Sequence, residues 1–171
     1  ALVAQSRRER VAEARSMERV LAPRSIAVVG ASRRAGTIGH EIFRNLVTGN
    51  FSGPVYPVNP TARSVAAVRA YPSVVDVPGD VDLAVVAVPA EHVGDVLADC
   101  ARRQVRGVVV ITAGFAELDG GSERQRELVE LARRSGMRLI GPNCMGIVNT
   151  SADVRMNATF APVTPAPGRM A

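Results

Sequence analysis

Two adjacent arginines, Arg33 and Arg34, follow an apolar run and precede an amphipathic pattern, a position in which their charges could bind phosphate. The run at residues 26–29 is rich in β-branched residues and predicts a buried strand. Gly30 ends that run, and Ile38 opens a helical pattern. The first N–H groups of a helix are unpaired, and its dipole is positive at that end. Strand, turn and helix together therefore predict a site for the phosphates of a nucleotide-like ligand.

The glycine spacing leaves a second interpretation open. Gly30, Gly36 and Gly39 do not follow the G-x-G-x-x-G pattern, because Ser32 stands at the second glycine position and two extra residues follow. Such a turn can also be only a tight connection in an α/β fold. Since turns of this kind often hold phosphate, ligand binding is the favoured hypothesis.

Other apolar runs indicate the elements that would position these residues. Together with the first run, they predict strands at 26–29, 55–58, 83–88, 108–111 and 138–140. Amphipathic patterns predict helices at 38–48, 91–104 and 122–135, with Ser122 as the N-cap of the third. Strands that alternate with helices predict an α/β fold, a Rossmann-like, doubly wound, mostly parallel sheet in a single domain.

Ligands of such sheets bind beyond the carboxyl ends of the strands. The predicted strand ends carry glycine, proline or small polar residues, as a groove lined by backbone requires. Beyond the first turn, the candidate binding residues are Asn59, Pro60, Val88, Pro89, Thr112, Ala113, Gly114 and the segment 142–145, which includes Asn143.

Composition narrows the classes of function. With 171 residues, of which 47% are hydrophobic, the chain fits one globular domain. The net charge of +5 could indicate nucleic acid, but residues 1–24 hold six Arg against three Glu, so +3 of it belongs to this leading segment. Aromatic residues for base stacking are few, and we expect no nucleic-acid partner. All 21 basic residues are arginine, which excludes a Schiff-base lysine and a P-loop lysine in this chain.

Segment patterns suggest a piece of a longer protein. Residues 1–22 predict a linker helix from an upstream domain, with a frayed terminus as the alternative. Residues 23–160 form the predicted binding domain, and 161–171 a proline-rich linker to a downstream domain. No apolar run approaches the roughly 18–20 residues that span a bilayer, so no membrane partner is expected. Two cysteines are too few for a disulfide framework, which favours the cytoplasm.

The end of the second strand restricts the ligand. NAD-binding folds usually hold the ribose with an acidic residue there, but no Asp or Glu occurs between Glu41 and Asp76. Arg63 is the nearest cation after that strand. The pattern favours a ligand with an additional phosphate, either NADP or coenzyme A.

Five segments carry a family resemblance: I-A-V-V-G-A-S, V-Y-P-V-N-P, V-D-L-A-V-V-A-V-P, V-V-I-T-A-G-F-A-E and L-I-G-P-N-C-M-G-I. In this order and spacing, they resemble the CoA-binding domain of NDP-forming acyl-CoA synthetases, which the succinyl-CoA synthetase α-subunit shares. The resemblance implies a domain that binds CoA across the strand ends. It also implies downstream phosphohistidine and ATP-grasp domains as partners, with the phosphorylated histidine outside this chain.

The resemblance assigns roles to individual positions. Ser32, Arg33 and Gly36 match the turn that takes the phosphates. Val88 and Pro89 match the loop after the third strand, Thr112, Ala113 and Gly114 match the loop near the pantetheine arm, and Asn143 matches the turn that faces the active centre. Succinyl-CoA synthetase has a lysine after its second strand, where this chain has Thr61, Ala62 and Arg63. Arg63 is therefore the expected contact of the 3′-phosphate, with Arg69 or Arg34 as the alternatives.

Three functions follow as hypotheses. The first is the CoA-binding domain of a multidomain acyl-CoA synthetase, in which CoA is the acyl acceptor. The second is a CoA-sensing region fused to a Gcn5-related protein acetyltransferase, and the third, disfavoured, is an NADP oxidoreductase domain. No catalytic or metal-binding residue is expected in the chain itself: His40 and His92 are interpreted as structural or solvated. Cys144 is interpreted as a packed residue, with a reactive thiol at a helix start as the alternative. Glu117 and Asp119 are interpreted as solvated loop charges that precede a helix. A homo-oligomer is possible.

Overall fold

Runs of small and β-branched residues form a five-stranded sheet at the centre of the computed structural model, which describes residues 17–163 and 165–168. Its strands are β1 (Ile26–Val29), β2 (Val55–Val58), β5 (Leu83–Val86), β6 (Gly107–Val110) and β7 (Arg138–Ile140). They pair in parallel throughout, in the order β2-β1-β5-β6-β7. All five carboxyl ends therefore lie along one edge.

Three helices cover the two faces of the sheet, as amphipathic patterns require. They are α1 (Ile38–Thr48), α2 (Ala90–Arg102) and α3 (Gly121–Arg134). Side chains of α1 share one buried cluster with Ile26, Val28 and Leu83, and side chains of α2 and α3 share the other with Ala27 and Val86. The chain is thus a doubly wound α/β domain, which confirms the predicted fold class.

No α-helix covers the connection from β2 to β5. It contains the short hairpin of β3 (Ser64–Val65) and β4 (Val68–Arg69), followed by a 3₁₀ turn at Val74–Asp76. Ser73 and Asp76 form a capping box at this turn. Tyr71 lies beside Val58 as an isolated parallel bridge, so this connection stays close to the end of β2.

A second hairpin, of β8 (Gly146–Asn149) and β9 (Met156–Thr159), follows the sheet and was not predicted from the sequence. It packs on α1, with Met156 and Ala158 buried in the same cluster as Ile42 and Leu46. The Asn45 side chain donates to the carbonyls of residues 159 and 161 at 2.9 Å each. Four-residue strands of mixed polarity are stable here because α1 covers them.

Several predicted boundaries need correction. The predicted strand 83–88 ends at Val86, and the predicted helix 91–104 is shorter at its carboxyl end, closing at Arg102. Ser122 is not an N-cap: α3 begins at Gly121, after Gly120 with φ 73°, and no side chain caps it. A Cβ at Gly121 would stand 1.7 Å from the Phe115 carbonyl oxygen, so the first residue of α3 packs directly against the backbone of Phe115.

The leading segment is described only in part. Residues 17–21, which fall in the segment of the predicted linker helix, are helical, and Val20 is fully buried against the sheet. Residues 1–16 of that prediction lie outside the described residues. Within the described part of the chain, the helices are too short or too polar to cross a membrane.

Candidate functional site

The turn from β1 to α1 is held by two close backbone contacts. Gly30 has φ +91°, and a Cβ there would stand 2.3 Å from the Ala87 carbonyl oxygen. Gly39, in the first turn of α1, would bring a Cβ to 2.0 Å from the Gly30 oxygen. Only glycine fits either position. The helix start therefore lies directly against the end of β1, the geometry that aims its free N–H groups at the turn.

Side chains of the turn itself form hydrogen bonds with its backbone. Ser32 Oγ accepts from the N–H of Arg34 at 3.1 Å, and Thr37 Oγ1 donates to the Arg34 carbonyl at 2.8 Å. Arg33 and Arg34 themselves are exposed. The backbone of the turn is thus fixed while both guanidinium groups reach solvent, where a ligand could bind them.

Side chains in the first turn of α1 also form hydrogen bonds with the backbone of the β1–α1 turn. His40 Nδ1 lies 2.9 Å from the Ser32 carbonyl, which can only accept, so Nδ1 carries the proton. Glu41 accepts from the N–H of Gly36 at 3.1 Å and pairs with Arg44 at 2.6 Å. The structural role expected for His40 agrees with this contact.

Asn59 joins the end of β2 to the first turn. Its Nδ2 donates to the Ala31 carbonyl at 2.8 Å. Its Oδ1 accepts from the N–H groups of Thr61 and Ala62, each at 2.9 Å, and from the Thr61 hydroxyl at 3.1 Å. The side chain therefore closes the turn after β2 and links it to the neighbouring one.

An open cleft of about 520 Å³ lies between these two turns. Its lining comprises Ser32, Arg33, Arg34, Asn59, Thr61, Ala62 and Arg63. Three arginines and no acidic residue line it, so the charge of its lining is positive and complementary to an anion. The structure thus brings together five of the predicted binding residues. Thr61 and Ala62 also line the cleft but were not among them, and the N-P-T-A sequence that closes an Asx-type turn is the signal that could have found them.

The other predicted residues lie farther along the same edge. Thr112 Oγ1 donates to the Val88 carbonyl at 2.7 Å, and the N–H of Asn143 donates to the Thr112 carbonyl at 3.0 Å. The ends of β5, β6 and β7 are therefore tied to one another. The structure places Val88, Pro89, Thr112, Ala113, Gly114 and Asn143 here. Gly30, Gly36, Ile38 and Pro60 adjoin the cleft in the chain without lining it.

Charged side chains hold the loop that follows β6. The Glu117 carboxylate accepts from the N–H of Gly114, and Arg124 donates to the Gly114 carbonyl at 3.1 Å. The hydrogen bond from the Gly114 backbone, with further backbone N–H groups, holds the pKa of the Glu117 carboxyl below its usual range. Sequence reasoning interpreted Glu117 as solvated loop charge and missed this contact. An acidic residue three positions after a loop glycine was the available signal.

Both cysteines are free thiols, Cys100 buried and Cys144 half-buried. Cys100 is fully buried, and burial followed by the charge of Asp99 raises the pKa of its thiol to about 12. Cys144 donates to the Val110 carbonyl at 3.4 Å and packs against the core, as predicted. It precedes β8 rather than a helix. Among the described residues, no group of three or more His, Cys, Asp or Glu side chains could hold a metal ion.

Comparison with known families adds to this geometry. The family described as "CoA binding domain" matches residues 24–150. Among curated proteins, the chain is 48% identical over 156 residues to acetate–CoA ligase [ADP-forming] I of Archaeoglobus fulgidus, covering 91% of this chain and 22% of the relative. It is 49% identical over 142 residues to the α subunit of acetate–CoA ligase [ADP-forming] II of Pyrococcus furiosus, covering 82% and 30%.

Solved structures agree with the sequence relatives. The dinucleotide-forming acetyl-coenzyme A synthetase 1 of Ca. Korarchaeum cryptofilum, solved with phosphate and ADP, superposes with a TM-score of 0.80 at 47% identity, covering 85% of this chain and 31% of that one. The protein PH0766 of Pyrococcus horikoshii superposes with a TM-score of 0.79 at 48% identity, covering 84% and 32%. The chain thus spans about a fifth to a third of these relatives.

Proposed function

The chain belongs to the family of CoA binding domains, and from this premise we propose that it holds coenzyme A as a substrate within an ADP-forming acyl-CoA synthetase. The relatives named as acetate–CoA ligases support this reaction class. CoA is the acyl acceptor in the proposed reaction, so it is consumed as a substrate rather than retained as a cofactor.

The arginine cleft is the observation that carries the proposal. CoA has a diphosphate and a ribose 3′-phosphate at one end. Arg33 and Arg34 on one wall are the proposed contacts of the diphosphate, and Arg63 on the other is the proposed contact of the 3′-phosphate. Each direct charge-assisted contact contributes on the order of 1.5–3 kcal/mol. An acidic residue in the cleft would repel these groups, and none lines it.

The tied strand ends suit the remainder of the ligand. The pantetheine arm is neutral and carries amide groups, so it needs hydrogen-bonding backbone rather than charge. We place it along Val88, Pro89 and the loop 112–114, with the thiol directed toward Asn143. Phosphate transfer and acid activation belong in this proposal to domains outside the chain, and the chain's own part is to bind and orient CoA.

Calorimetric titration tests the proposed ligand. CoA, dephospho-CoA, NADP and NAD are titrated separately into the chain, and CoA is expected to bind most tightly. Arg134→Ala serves as the control, because Arg134 is an exposed arginine of α3, paired with Glu130 and absent from the cleft lining. Tighter binding of NADP than of CoA would replace the proposal by the oxidoreductase alternative.

The assignment of Arg63 is tested with the same ligands. If Arg63 contacts the 3′-phosphate, wild type prefers CoA to dephospho-CoA by at least about tenfold, since 1.4 kcal/mol corresponds to one decade. Arg63→Ala should remove most of that preference. An unchanged ratio would reject Arg63 while leaving the CoA proposal intact.

The reaction class is tested on the full-length protein. It should form acyl-CoA from a carboxylic acid, CoA and ATP with release of ADP and phosphate, whereas the 171-residue chain alone should not. A full-length protein that binds CoA and acetylates protein substrates without ligase activity would favour the acetyltransferase fusion instead.

A further inference from the structure

We propose that Asn59 is a positioning residue that holds the two walls of the arginine cleft in register and thereby sets its selectivity for a ligand with a second phosphate. This inference rests on the proposed function, because it takes CoA as the ligand. It departs from the sequence prediction, in which Asn59 itself was a ligand contact.

The hydrogen bonds of Asn59 leave its acceptor fully occupied. An amide oxygen has two lone pairs, and Asn59 Oδ1 already receives three donors within the protein. The orientation of the amide is fixed as well. A flipped group would set its NH₂ against the N–H groups of Thr61 and Ala62, and its oxygen against the Ala31 carbonyl. The side chain is thus committed to the backbone on both sides of the cleft.

The position of this link explains why it matters for the arginines. Regular pairing of β1 with β2 ends at Val29 and Val58, and Gly30 N donates the last backbone bond, to the Val58 oxygen at 3.0 Å. Beyond that point, Asn59 bridges 28 positions of the chain by its bond to Ala31. The Asn59 side chain thus provides one more hydrogen bond between the two segments, beyond the last backbone bond of the β1–β2 pair.

Each end of the bridge lies next to a ligand-facing cation. Ala31 precedes the segment that carries Arg33 and Arg34, and Ala62 directly precedes Arg63. All three arginines are exposed and belong to turns rather than to helices or strands. The distance between the two positively charged walls is therefore held by Asn59. A ligand with phosphates at two places is bound more tightly when both walls are preorganised at the matching separation.

Asn59 also occupies the position at which NAD-binding folds place a carboxylate. An aspartate there could accept from Thr61 and Ala62 but would face the Ala31 carbonyl without a proton to donate. The amide satisfies both sides and adds no negative charge. The same residue therefore keeps the cleft positive and fixes its width.

The test is the ratio of affinities for CoA and dephospho-CoA, measured by calorimetry on the chain. Asn59→Ser keeps a hydroxyl that can accept from the turn after β2 but is too short to bridge to Ala31. Asn149→Ser is the matched control, because the Asn149 side chain likewise accepts from the N–H two positions on, that of Ser151, and donates to a distant carbonyl, that of Leu21, but does not line the cleft. Thermal unfolding of each variant is recorded in parallel.

Wild type is expected to prefer CoA by at least about tenfold. Asn59→Ser should reduce that preference to below about threefold, since only the ligand with the additional phosphate uses both walls. Asn149→Ser should retain the preference of wild type, since Asn149 does not line the cleft. A purely structural role for Asn59 would weaken both ligands by the same factor, and this outcome would overturn the inference.

Two further outcomes are separated by design. If wild type binds no CoA, the proposed function itself fails and this inference falls with it. If wild type binds CoA and dephospho-CoA equally well, CoA binding stands and the positioning inference is wrong.

If Asn59→Ser does not fold, Asn59→Asp is compared with wild type at about 0.5 M salt, which shortens the range of the added charge. Of the hydrogen bonds of Asn59, the aspartate variant loses only the one donated to Ala31. If its ratio of affinities for CoA and dephospho-CoA equals that of wild type, the inference is again overturned.

Discussion

The carboxyl edge of the sheet has two unlike halves. At the ends of β1 and β2, three arginines line an open cleft, and no acidic residue lines it. The loops at the ends of β5, β6 and β7 contain no basic residue. Leu118 and Met145 are 55% and 59% exposed there, and the acidic residues Glu117 and Asp119 are exposed as well. Glu117 and the nearby Arg124 of α3 are both bound to the backbone of Gly114.

The two halves nevertheless share one construction. In each, a glycine in the first turn of a helix lies against a loop carbonyl: Gly39 against Gly30, and Gly121 against Phe115. The backbone frame is therefore similar, and the difference lies in the side chains: three arginines line the first half, whereas the loops of the second half contain no basic residue. An edge divided in this way matches a long ligand that is charged at one end only, as proposed for CoA.

The largest expected effect comes from breaking the frame of the cationic half. Gly39→Ala would force a Cβ to 2.0 Å from the Gly30 oxygen, so we expect a loss of about 3 kcal/mol in the free energy of unfolding, together with loss of CoA binding. Urea unfolding and calorimetry measure the two effects. Gly94→Ala in α2 is the control: beyond the neighbouring backbone of α2, no atom lies within 4 Å of the added Cβ, so the variant should be about 0.5–1 kcal/mol more stable than wild type. Equal stability of the two variants would contradict the tight contact.

Removing charge from the same half should cost affinity without costing stability. Arg33→Ala is expected to weaken CoA binding at least about tenfold at low salt, and Arg33→Ala with Arg34→Ala more, because charge-assisted contacts to phosphate are lost. The melting temperature should stay near that of wild type, since both side chains are exposed. An unchanged affinity of the double variant would mean that both arginines are merely solvated.

A change in the second half, at the ends of β5, β6 and β7, should have a smaller effect of a different kind. Thr112→Val removes the hydroxyl that donates to the Val88 carbonyl, and should cost about 1 kcal/mol of stability. CoA affinity should fall by a few-fold at most, in line with that energy, with an unchanged ratio of CoA to dephospho-CoA. Thr48→Val is the matched control, because it removes a similar hydroxyl–carbonyl bond at the end of α1. A change in the ratio for Thr112→Val would show that the two halves are coupled.

The smallest effect is expected from pH. Backbone N–H groups, that of Gly114 first, hold the pKa of the Glu117 carboxyl below its ordinary value of 4.5, so its ionised form favours the folded loop. This contribution is complete above about pH 4.5, the unfolded-state value, and is lost as pH falls through the lower folded-state pKa. Hydrogen exchange of the Gly114 amide should accordingly accelerate, relative to the intrinsic rate, on acidification in wild type but not in Glu117→Gln. Parallel behaviour of the two proteins would exclude the carboxylate as the cause.

Most of the sheet could be predicted because its strands are short, continuous apolar runs bounded by glycine or proline. The predicted bounds of β1, β2, β7 and α1 agree with the structure. The hairpin of β8 and β9 could not be predicted, since its stability depends on packing against α1 and on Asn45, which contacts a carbonyl 114 positions away. Ser122 was misassigned because local preference for a polar N-cap is overridden where Gly121 must lie against Phe115.

For the candidate site, too, some features could be predicted from the sequence and others depend on the tertiary structure. Sequence alone determined which residue types stand at the strand ends, the absence of acidic residues after β2, and the glycines of the first turn, because local backbone requirements and charge are properties of the chain. Only the tertiary structure decided that Arg63 shares a cleft with Arg33 and Arg34. It also decided that the Asn59 side chain forms hydrogen bonds with the backbone of Ala31, Thr61 and Ala62. Those contacts arise from parallel pairing of strands distant in sequence, which brings their ends together without any local signal.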